Sequence, residues 1–163
     1  MVLKLYGSPV STATRCVAMV LHEKQVPFEF ISVDLAKKEQ KAPEYLAHQP
    51  FGQVPYIDED GFILYESRAI AQYIATKYAD QGTPLIPKDL KEFALSLQGA
   101  SIEVSHFDPF VSKLLHEKYI NPLYGLPTDE QVVKRSVELL NTRLDVYEQI
   151  LSKQKYIGGN MVQ

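Results

Sequence analysis

The fold is decided by residues 50–68, which read PFGQVPYIDEDGFILYESR. Asp60-Gly61 lies between two apolar runs and predicts a β-hairpin, because glycine accepts the positive φ angle that the turn requires. Pro55 cannot donate a hydrogen bond to a neighbouring strand, so it belongs at the start of a strand or at an edge, and the Val54–Pro55 bond is a candidate cis bond. The spacing after Ser67 predicts a helix with Ser67 as its N-cap, whose free N–H groups would attract an anion. Together these features predict a site for a peptide-sized ligand.

The elements around this stretch predict an α/β domain followed by helices. Residues 2–6 and 28–33 form strands separated by a helix that ends near Gln25, and a short helix follows. The complete order of strand, helix, strand, helix, strand, strand and helix is that of a thioredoxin-like domain. We expect this domain over residues 1–80, a turn-rich linker over 81–89 and an all-helical domain over 90–163.

Two long helices are predicted in the second domain. The first begins at a capping box in residues 89–92, and Pro109 should interrupt it because proline removes one helix hydrogen bond. The second begins at a capping box in residues 128–131 and carries the most regular apolar stripe of the chain before it stops near Tyr156.

Composition excludes several classes of function. The chain has 163 residues, a net charge of −3 and 45% hydrophobic residues, which is ordinary for a globular protein and argues against binding to nucleic acid or to a membrane surface. No apolar run approaches a membrane span, and the amino terminus reads as a strand with no signal peptide. The single cysteine excludes an internal disulfide and fits a reducing compartment, so we expect a cytoplasmic protein. No histidine pair has zinc-ligand spacing with a cysteine, so no metal site is predicted.

Several motifs resemble the cytosolic glutathione transferases, and in particular their phi class of plants and fungi. Residues 49–55 and 66–70 resemble two motifs of the first domain, and residues 11–15 resemble the segment that carries a catalytic serine. Residues 144–148 and 155–157 resemble the last helical motif before the central helix of the second domain. The resemblance covers nearly the whole chain. Residues 156–163 depart from it, because they lose a helix cap and the given chain then stops. The helical domain is therefore expected to be incomplete and to lack the further C-terminal helices of the family.

The resemblance implies that glutathione is a co-substrate and that no cofactor is tightly bound. Ser11 would be catalytic, with its hydroxyl donating a hydrogen bond to the glutathione sulfur. Val54 would pair its backbone with the cysteinyl part, while Glu66 and Ser67 would hold the γ-glutamyl end. Lys41 and Gln53 would reach the glycyl carboxylate and the backbone, and Gln40 stands at the glycyl end, where the family often has histidine. The residues implied in glutathione binding are Thr12, Gln40, Lys41, Gln53, Val54, Pro55, Glu66, Ser67 and Arg68.

Each of these interpretations has a structural alternative. Ser11 could be only a helix N-cap, and Cys16 is interpreted as a buried small side chain and not as a redox centre. The side chains of Phe107, Phe110 and Leu114 could be plain core, or they could line the electrophile pocket together with Val10. Phe51 is too apolar for an exposed loop, so we expect it to insert into the partner subunit of a homodimer.

The expected function is conjugation of glutathione to small hydrophobic electrophiles, as in detoxification, with a glutathione peroxidase side activity. The alternative is a non-catalytic protein that binds glutathione or hydrophobic ligands, because the missing helices would impair the electrophile site. A dimerisation domain like that of the elongation factor 1 gamma subunit is disfavoured, since no further domain follows and Ser11 is present.

Overall fold

Four short strands form one sheet in a computed structural model that describes residues 2–159. They are β1 (Leu3–Gly7), β2 (Phe28–Ser32), β3 (Tyr56–Glu59) and β4 (Phe62–Tyr65), in the order β2-β1-β3-β4. β2 runs parallel to β1, whereas β3 runs antiparallel to both β1 and β4. The predicted hairpin between β3 and β4 is present, and it turns at Asp60 and Gly61 with φ angles of 54° and 89°.

Three helices and a 3-10 turn complete this first unit. They are α1 (Thr12–Glu23), a 3-10 turn (Glu39–Lys41), α2 (Pro43–Leu46) and α3 (Ser67–Lys77). Helix α1 ends two residues before the predicted Gln25, which has a left-handed φ of 53°. Among the described residues this unit has two buried apolar clusters. The smaller contains Val33, Tyr45 and Tyr56, and the larger consists of Leu3, Leu5, Val17, Leu21, Val26, Ile57, Ile70 and Ile74. The expected thioredoxin-like fold class is confirmed.

The chain divides into two compact units, residues 1–86 and 87–163. The second unit is helical and contains α4 (Leu90–Ile102), α5 (Asp108–Leu115), α6 (Asn121–Leu123) and α7 (Glu130–Leu151). The domain bounds predicted from the sequence stay a prediction, and the predicted end at residue 163 lies outside the described residues.

Two π-helical segments connect the helices of the second unit. They cover Glu103–Phe107 and His116–Ile120, and each ends one residue before the X–Pro pair that opens the next helix. Proline has no N–H to donate and its ring crowds the preceding turn, so a widened turn accommodates it. The interruption predicted at Pro109 therefore takes the form of a π segment.

The ends of the long helices differ in part from the predictions. Asp89 caps α4 as expected, because its carboxylate accepts hydrogen bonds from the next turn. The N-cap of α7 is Asp129, since the hydroxyl of Thr128 instead donates to the carbonyl of Glu117 over 2.9 Å.

Helix α7 ends at Leu151, five residues before the predicted end at Tyr156. There the N–H of Lys153 bonds the carbonyl of Ile150 at 3.0 Å, three residues back, and the Ser152 hydroxyl donates to the carbonyl of Gln149 at 2.9 Å. Both bonds tighten the last turn and use carbonyls that a longer α-helix would need.

Hydrogen bonds join the carboxyl end of α1 to residues 81–83. Lys24 is fully buried, and its ammonium donates to the carbonyl of Thr83 at 2.9 Å. The side chain of Gln81 donates to the carbonyl of Lys24 at 2.7 Å, and the N–H of Thr83 bonds the carbonyl of Glu23 at 2.8 Å. Gly82 has a φ of 60°, and a Cβ there would collide with the Glu23 carbonyl. A buried ammonium is tolerated only with such partners.

Candidate functional site

The register of the sheet aligns three tyrosines in a row across the strands, at one end of the sheet. Tyr6 of β1 pairs with Tyr56 of β3, and Tyr56 pairs with Tyr65 of β4. β1 ends one residue after this row, β3 begins in it and β4 ends in it. The segments that follow β1, precede β3 and follow β4 therefore leave or enter the sheet at the same end of the strands.

These segments carry the residues that the sequence analysis assigned to glutathione. The first leads to Ser11, the second contains Val54 and Pro55, and the third contains Glu66 and Ser67. β2 also terminates at this end of the sheet, because Ser32 pairs with Gly7. The chain after β2 leads to the 3-10 turn. Strand pairing therefore places these segments, which are distant in sequence, at the same end of the sheet.

Ser11 is the N-cap of α1. Its backbone is extended, and its Oγ accepts a hydrogen bond from the N–H of Thr14 at 3.3 Å. A hydroxyl has one donor hydrogen and two acceptor lone pairs, so this bond leaves its hydrogen able to donate. The side chain is half-buried. The capping role is therefore present, and it does not exclude a role as a donor to a ligand.

The surroundings of Ser11 are open and positive. Val10 is 70% exposed and Thr12 is exposed, while the Arg15 Nε donates to the carbonyl of Pro9 at 2.6 Å. The first N–H groups of a helix have no intrahelical acceptor and carry a partial positive charge. Cys16 is exposed and not buried as predicted, because the buried face of α1 consists of Thr14, Val17 and Leu21.

The loop before β3 contains the predicted cis bond between Val54 and Pro55. Two side chains for which no role was predicted bind the backbone of Gln53, the residue before Val54. Tyr45 Oη donates to the Gln53 carbonyl at 2.8 Å, and Gln49 Oε1 accepts from the Gln53 N–H at 3.1 Å. Gln49 opens the motif of residues 49–55, but neither that motif nor the local pattern around Tyr45 indicates which backbone groups the two side chains bind.

The start of α3 corrects one prediction. The N-cap is Glu66, and Ser67 is the first helical residue. Glu66 has φ 71° and ψ 109°, and its carbonyl accepts the first helical hydrogen bond from Ile70 at 2.9 Å. The side chains of Glu66 and Arg68 are exposed and that of Ser67 is half-buried. The helix begins one residue earlier because the turn out of β4 is made at Glu66.

The 3-10 turn contributes Gln40 and Lys41. The ammonium of Lys41 donates to the carbonyl of Phe51 at 3.1 Å, so this side chain lies across the loop before Gly52. Gln40 Oε1 is buried and has no hydrogen-bond partner among the residues that the structure describes. Their assignment to the glycyl end of glutathione stays a prediction.

Aromatic packing surrounds the start of β3. The rings of Tyr6 and Tyr56 stack at 4.4 Å, and Tyr45 packs edge-on against Tyr56 at 5.1 Å. Burial, with the neighbouring Tyr6 and Asp58, raises the pKa of Tyr56 to about 12, and burial also raises the pKa of Tyr45. Both hydroxyls therefore remain protonated near neutral pH, so neither can serve as a base.

The residues predicted for the electrophile pocket are divided between the units. Val10 belongs to the first unit. In the second, the ring of Phe107 lies 6.2 Å from that of Tyr147, and Phe110 lies 5.9 Å below the guanidinium of Arg143. Leu114 of α5 is half-buried. A pocket formed by these residues stays a prediction.

No helix in residues 2–159 is long and apolar enough to cross a membrane. Nor does this part of the chain contain a group of three or more histidine, cysteine, aspartate or glutamate side chains placed to hold a metal ion.

The sequence is closely related to known enzymes. Residues 1–76 match the family model for the N-terminal domain of glutathione S-transferase. Glutathione S-transferase F7 of Arabidopsis thaliana is 43% identical over 158 residues, which cover 97% of this chain and 76% of the relative. The chain belongs to the glutathione S-transferase family. It spans about three quarters of the length of this relative.

Solved structures support the family assignment. The glutathione transferase F7 of Populus trichocarpa matches with a TM-score of 0.96 and 41% identity, covering 99% of this chain and 76% of that one. Glutathione S-transferase I from maize, solved in complex with an atrazine glutathione conjugate, matches with a TM-score of 0.87 and 33% identity, covering 100% and 76%. The expected phi class and transferase activity are confirmed for this glutathione S-transferase, and the non-catalytic alternative is not favoured.

Proposed function

We propose that this transferase conjugates the thiolate of glutathione to small hydrophobic electrophiles, with the Ser11 hydroxyl donating a hydrogen bond to the sulfur. The observation that carries the proposal is the row of paired tyrosines, from which the chain runs to Ser11, to the Val54–Pro55 cis bond and to the start of α3. A short acidic peptide needs backbone pairing, a carboxylate site and a group that stabilises its thiolate, and the three segments offer one each.

The energy required at the sulfur is modest. A free thiol has a pKa of about 8.5, and lowering it by about two units requires roughly 2.7 kcal/mol of preferential thiolate stabilisation. A hydrogen bond to a charged group contributes roughly 1.5–3 kcal/mol, and a helix N-terminus adds about 0.3–1 kcal/mol. Ser11 at the N-terminus of α1 supplies both. No general base is needed, and Ser11 acts as a donor and not as a nucleophile.

Glutathione would lie across the end of the sheet at which the row of tyrosines lies. The backbone of Val54 pairs with the cysteinyl residue as an added strand would. Glu66 binds the γ-glutamyl ammonium, while Ser67 and the N-terminus of α3 bind its carboxylate. Lys41 binds the glycyl carboxylate. The remaining residues proposed to line glutathione are Thr12, Gln40, Gln53, Pro55 and Arg68.

Gln40 sets a limit on binding at the glycyl end. Its amide can donate or accept a hydrogen bond, but it adds no positive charge. Lys41 is then the only cation proposed for the glycyl carboxylate, and the exposure of Lys41 lets salt screen that attraction. We therefore expect glutathione affinity to fall as ionic strength rises.

The electrophile is proposed to bind against Phe107, Phe110 and Leu114 of the second unit. Their side chains are apolar, which favours a hydrophobic second substrate. The aromatic conjugate bound by the maize relative supports this choice. The same thiolate would reduce small hydroperoxides as a side reaction, in which two glutathione molecules and one hydroperoxide give glutathione disulfide, an alcohol and water.

The deciding experiment compares Ser11→Ala with Ser11→Gly in the conjugation of a chloronitrobenzene at pH 6.5. Both variants lose the donor, but glycine caps a helix almost as well as serine, whereas alanine costs about 1 kcal/mol. Both should lose about ten-fold or more in kcat, and the deficit should shrink toward pH 9. An unchanged rate at pH 6.5 in either variant would refute the donor role, and loss in Ser11→Ala alone would assign Ser11 to capping.

We propose further that the protein is a homodimer and that it resides in the cytoplasm. The ring of Phe51 is 65% exposed and contacts only the edge of Tyr65 among the ring contacts in residues 2–159, at 6.1 Å. Such an exposed ring gains most from insertion into a second copy. The single cysteine, Cys16, is compatible with a reducing compartment.

A further inference from the structure

Tyr45 of α2 and Gln49, three residues after the end of that helix, hold the loop that precedes the cis bond. We propose that Tyr45 and Gln49 are positioning residues, which set the affinity for glutathione by fixing the backbone N–H and carbonyl of Gln53. The inference rests on the proposed function, because the ligand is the one assigned to Val54. It adds two residues to the glutathione site that are not proposed to touch the ligand.

The bonds form a two-point clamp. Tyr45 Oη donates to the carbonyl of Gln53 at 2.8 Å, and Gln49 Oε1 accepts from the N–H of the same residue at 3.1 Å. The backbone N–H and the backbone carbonyl of Gln53 are thereby both bonded to side chains. The next residue is Val54, whose backbone is left to face the ligand at the cis bond. A shift of Gln53 would move the strand-pairing groups of Val54 directly.

Burial separates this role from direct binding. Gln49 is 1% exposed and Tyr45 is 7% exposed, so neither side chain is open to a ligand. An amide buried this deeply is expected to have a partner, because an unpaired polar group costs free energy in the interior. The N–H of Gln53 is the partner of Oε1.

The clamp is attached to the rest of the first unit. The ring of Tyr45 packs edge-on against Tyr56, and the ring of His48 stacks on Tyr56 at 5.5 Å. The carbonyl of Gln49 accepts a hydrogen bond from the N–H of Gly52 at 3.0 Å. Helix α2, the loop and the start of β3 therefore form one packed body, and the position of Val54 is defined before glutathione arrives.

The test uses Tyr45→Phe and Gln49→Met in the full chain. Each removes one hydrogen bond of the clamp and keeps most of the packed volume. Tyr73→Phe is the matched control, because its hydroxyl is also part-buried and donates to Glu59, away from the loop. The measurements are the glutathione Kd by titration calorimetry, kcat at saturating glutathione and hydrogen exchange of the Gln53 amide.

We expect the Kd of both clamp variants to rise about two- to ten-fold, the usual worth of one hydrogen bond, while kcat at saturation stays close to wild type. The Gln53 amide should exchange faster, most of all in Gln49→Met. The control should melt at a lower temperature with an unchanged Kd. If Gln49→Met does not fold, Tyr45→Phe decides the result alone.

Two results would overturn the inference. An unchanged Kd in Tyr45→Phe, with wild-type glutathione binding intact, would leave these residues with a purely structural role and would leave the proposed function standing. A wild-type chain that does not bind glutathione would instead overturn the proposed function, and the inference with it.

Discussion

Glu66 holds a backbone conformation that glutamate rarely adopts. Its φ of 71° and ψ of 109° fall in a region that glycine enters without steric cost, and its side chain makes no capping hydrogen bond. A residue kept in such a conformation costs of order 1–3 kcal/mol. The fold alone would favour glycine here, so the carboxylate is best explained by the ligand ammonium that it is proposed to bind.

Glu66→Gly should therefore separate stability from binding. We expect the free energy of unfolding to rise by about 1 kcal/mol as strain is relieved, while glutathione affinity falls about ten-fold with the loss of a charge-assisted hydrogen bond. Thermal melting and calorimetric titration measure the two effects. Gln25→Gly is the control, because Gln25 also has a positive φ and lies at the far end of α1. A variant that binds glutathione as well as wild type would contradict the role of Glu66.

For individual residues, the sequence predicted the residue types of the site better than their exact positions in the helices. The motif around residues 66–70 predicted a helix start and placed Ser67 at the cap, because serine caps isolated helices well. In the structure the turn out of β4 decides where α3 begins, and Glu66 takes the cap. The roles of Tyr45 and Gln49 were not predictable, because their bonds depend on how α2 and the residues after it pack against the loop.

Glu59 joins two secondary-structure elements. It lies at the end of β3 and accepts hydrogen bonds from the hydroxyls of Tyr73 at 2.5 Å and Tyr78 at 3.1 Å, both near the end of α3. The ammonium of Lys77 lies 2.6 Å from its carboxylate. Burial alone would raise the pKa of Glu59, but the three donors outweigh it and hold the pKa below its usual value.

This arrangement predicts acid-sensitive stability. A carboxylate with a lowered pKa stabilises the fold fully above its unfolded pKa of about 4.3, and the contribution is lost as the pH falls through the lower folded pKa. Glu59→Gln should therefore lose about 1 kcal/mol of unfolding free energy at pH 7, and its difference from wild type should shrink below about pH 4. Urea unfolding between pH 3 and 7 measures both. A difference that is the same at pH 3 and pH 7 would contradict the prediction. Asp58→Asn is the control on the same strand.

The elements themselves were largely predictable from the chain. The Asp60-Gly61 turn and the apolar alternation around it specify the hairpin, since both signals are local. The interruption at Pro109 was also local, but its π form was not, because the sequence shows only that a hydrogen bond must be lost. The early end of α7 at Leu151 depends on competing bonds in a single turn.

The proposed dimer is a property of the whole molecule. Phe51→Asp should give a monomer in size-exclusion chromatography coupled to light scattering, because a buried unpaired carboxylate weakens association by at least about 100-fold. Phe30→Asp is the matched control, since Phe30 is 40% exposed on β2, at the sheet edge opposite β4. An unchanged dimer in Phe51→Asp would remove Phe51 from the interface. A monomeric wild type would remove the dimer.

The thioredoxin-like order, which includes the three segments proposed to bind glutathione, was predictable from the sequence. The row formed by Tyr6, Tyr56 and Tyr65 explains why, since three locally predicted strands need only their register to bring the segments together. The contact between Lys24 and Thr83 was beyond prediction, because it joins residues 59 positions apart through a side chain that usually faces water.

That contact bears on how the chain is made. As the protein leaves the ribosome, the sheet and its three helices are complete by residue 77, yet the ammonium of Lys24 still lacks its acceptor. Until residues 81–83 emerge, the carboxyl end of α1 must remain hydrated or open. We therefore expect the nascent first unit to reach its final packing only after residues 81–83, which lie outside every strand and helix, have been synthesised.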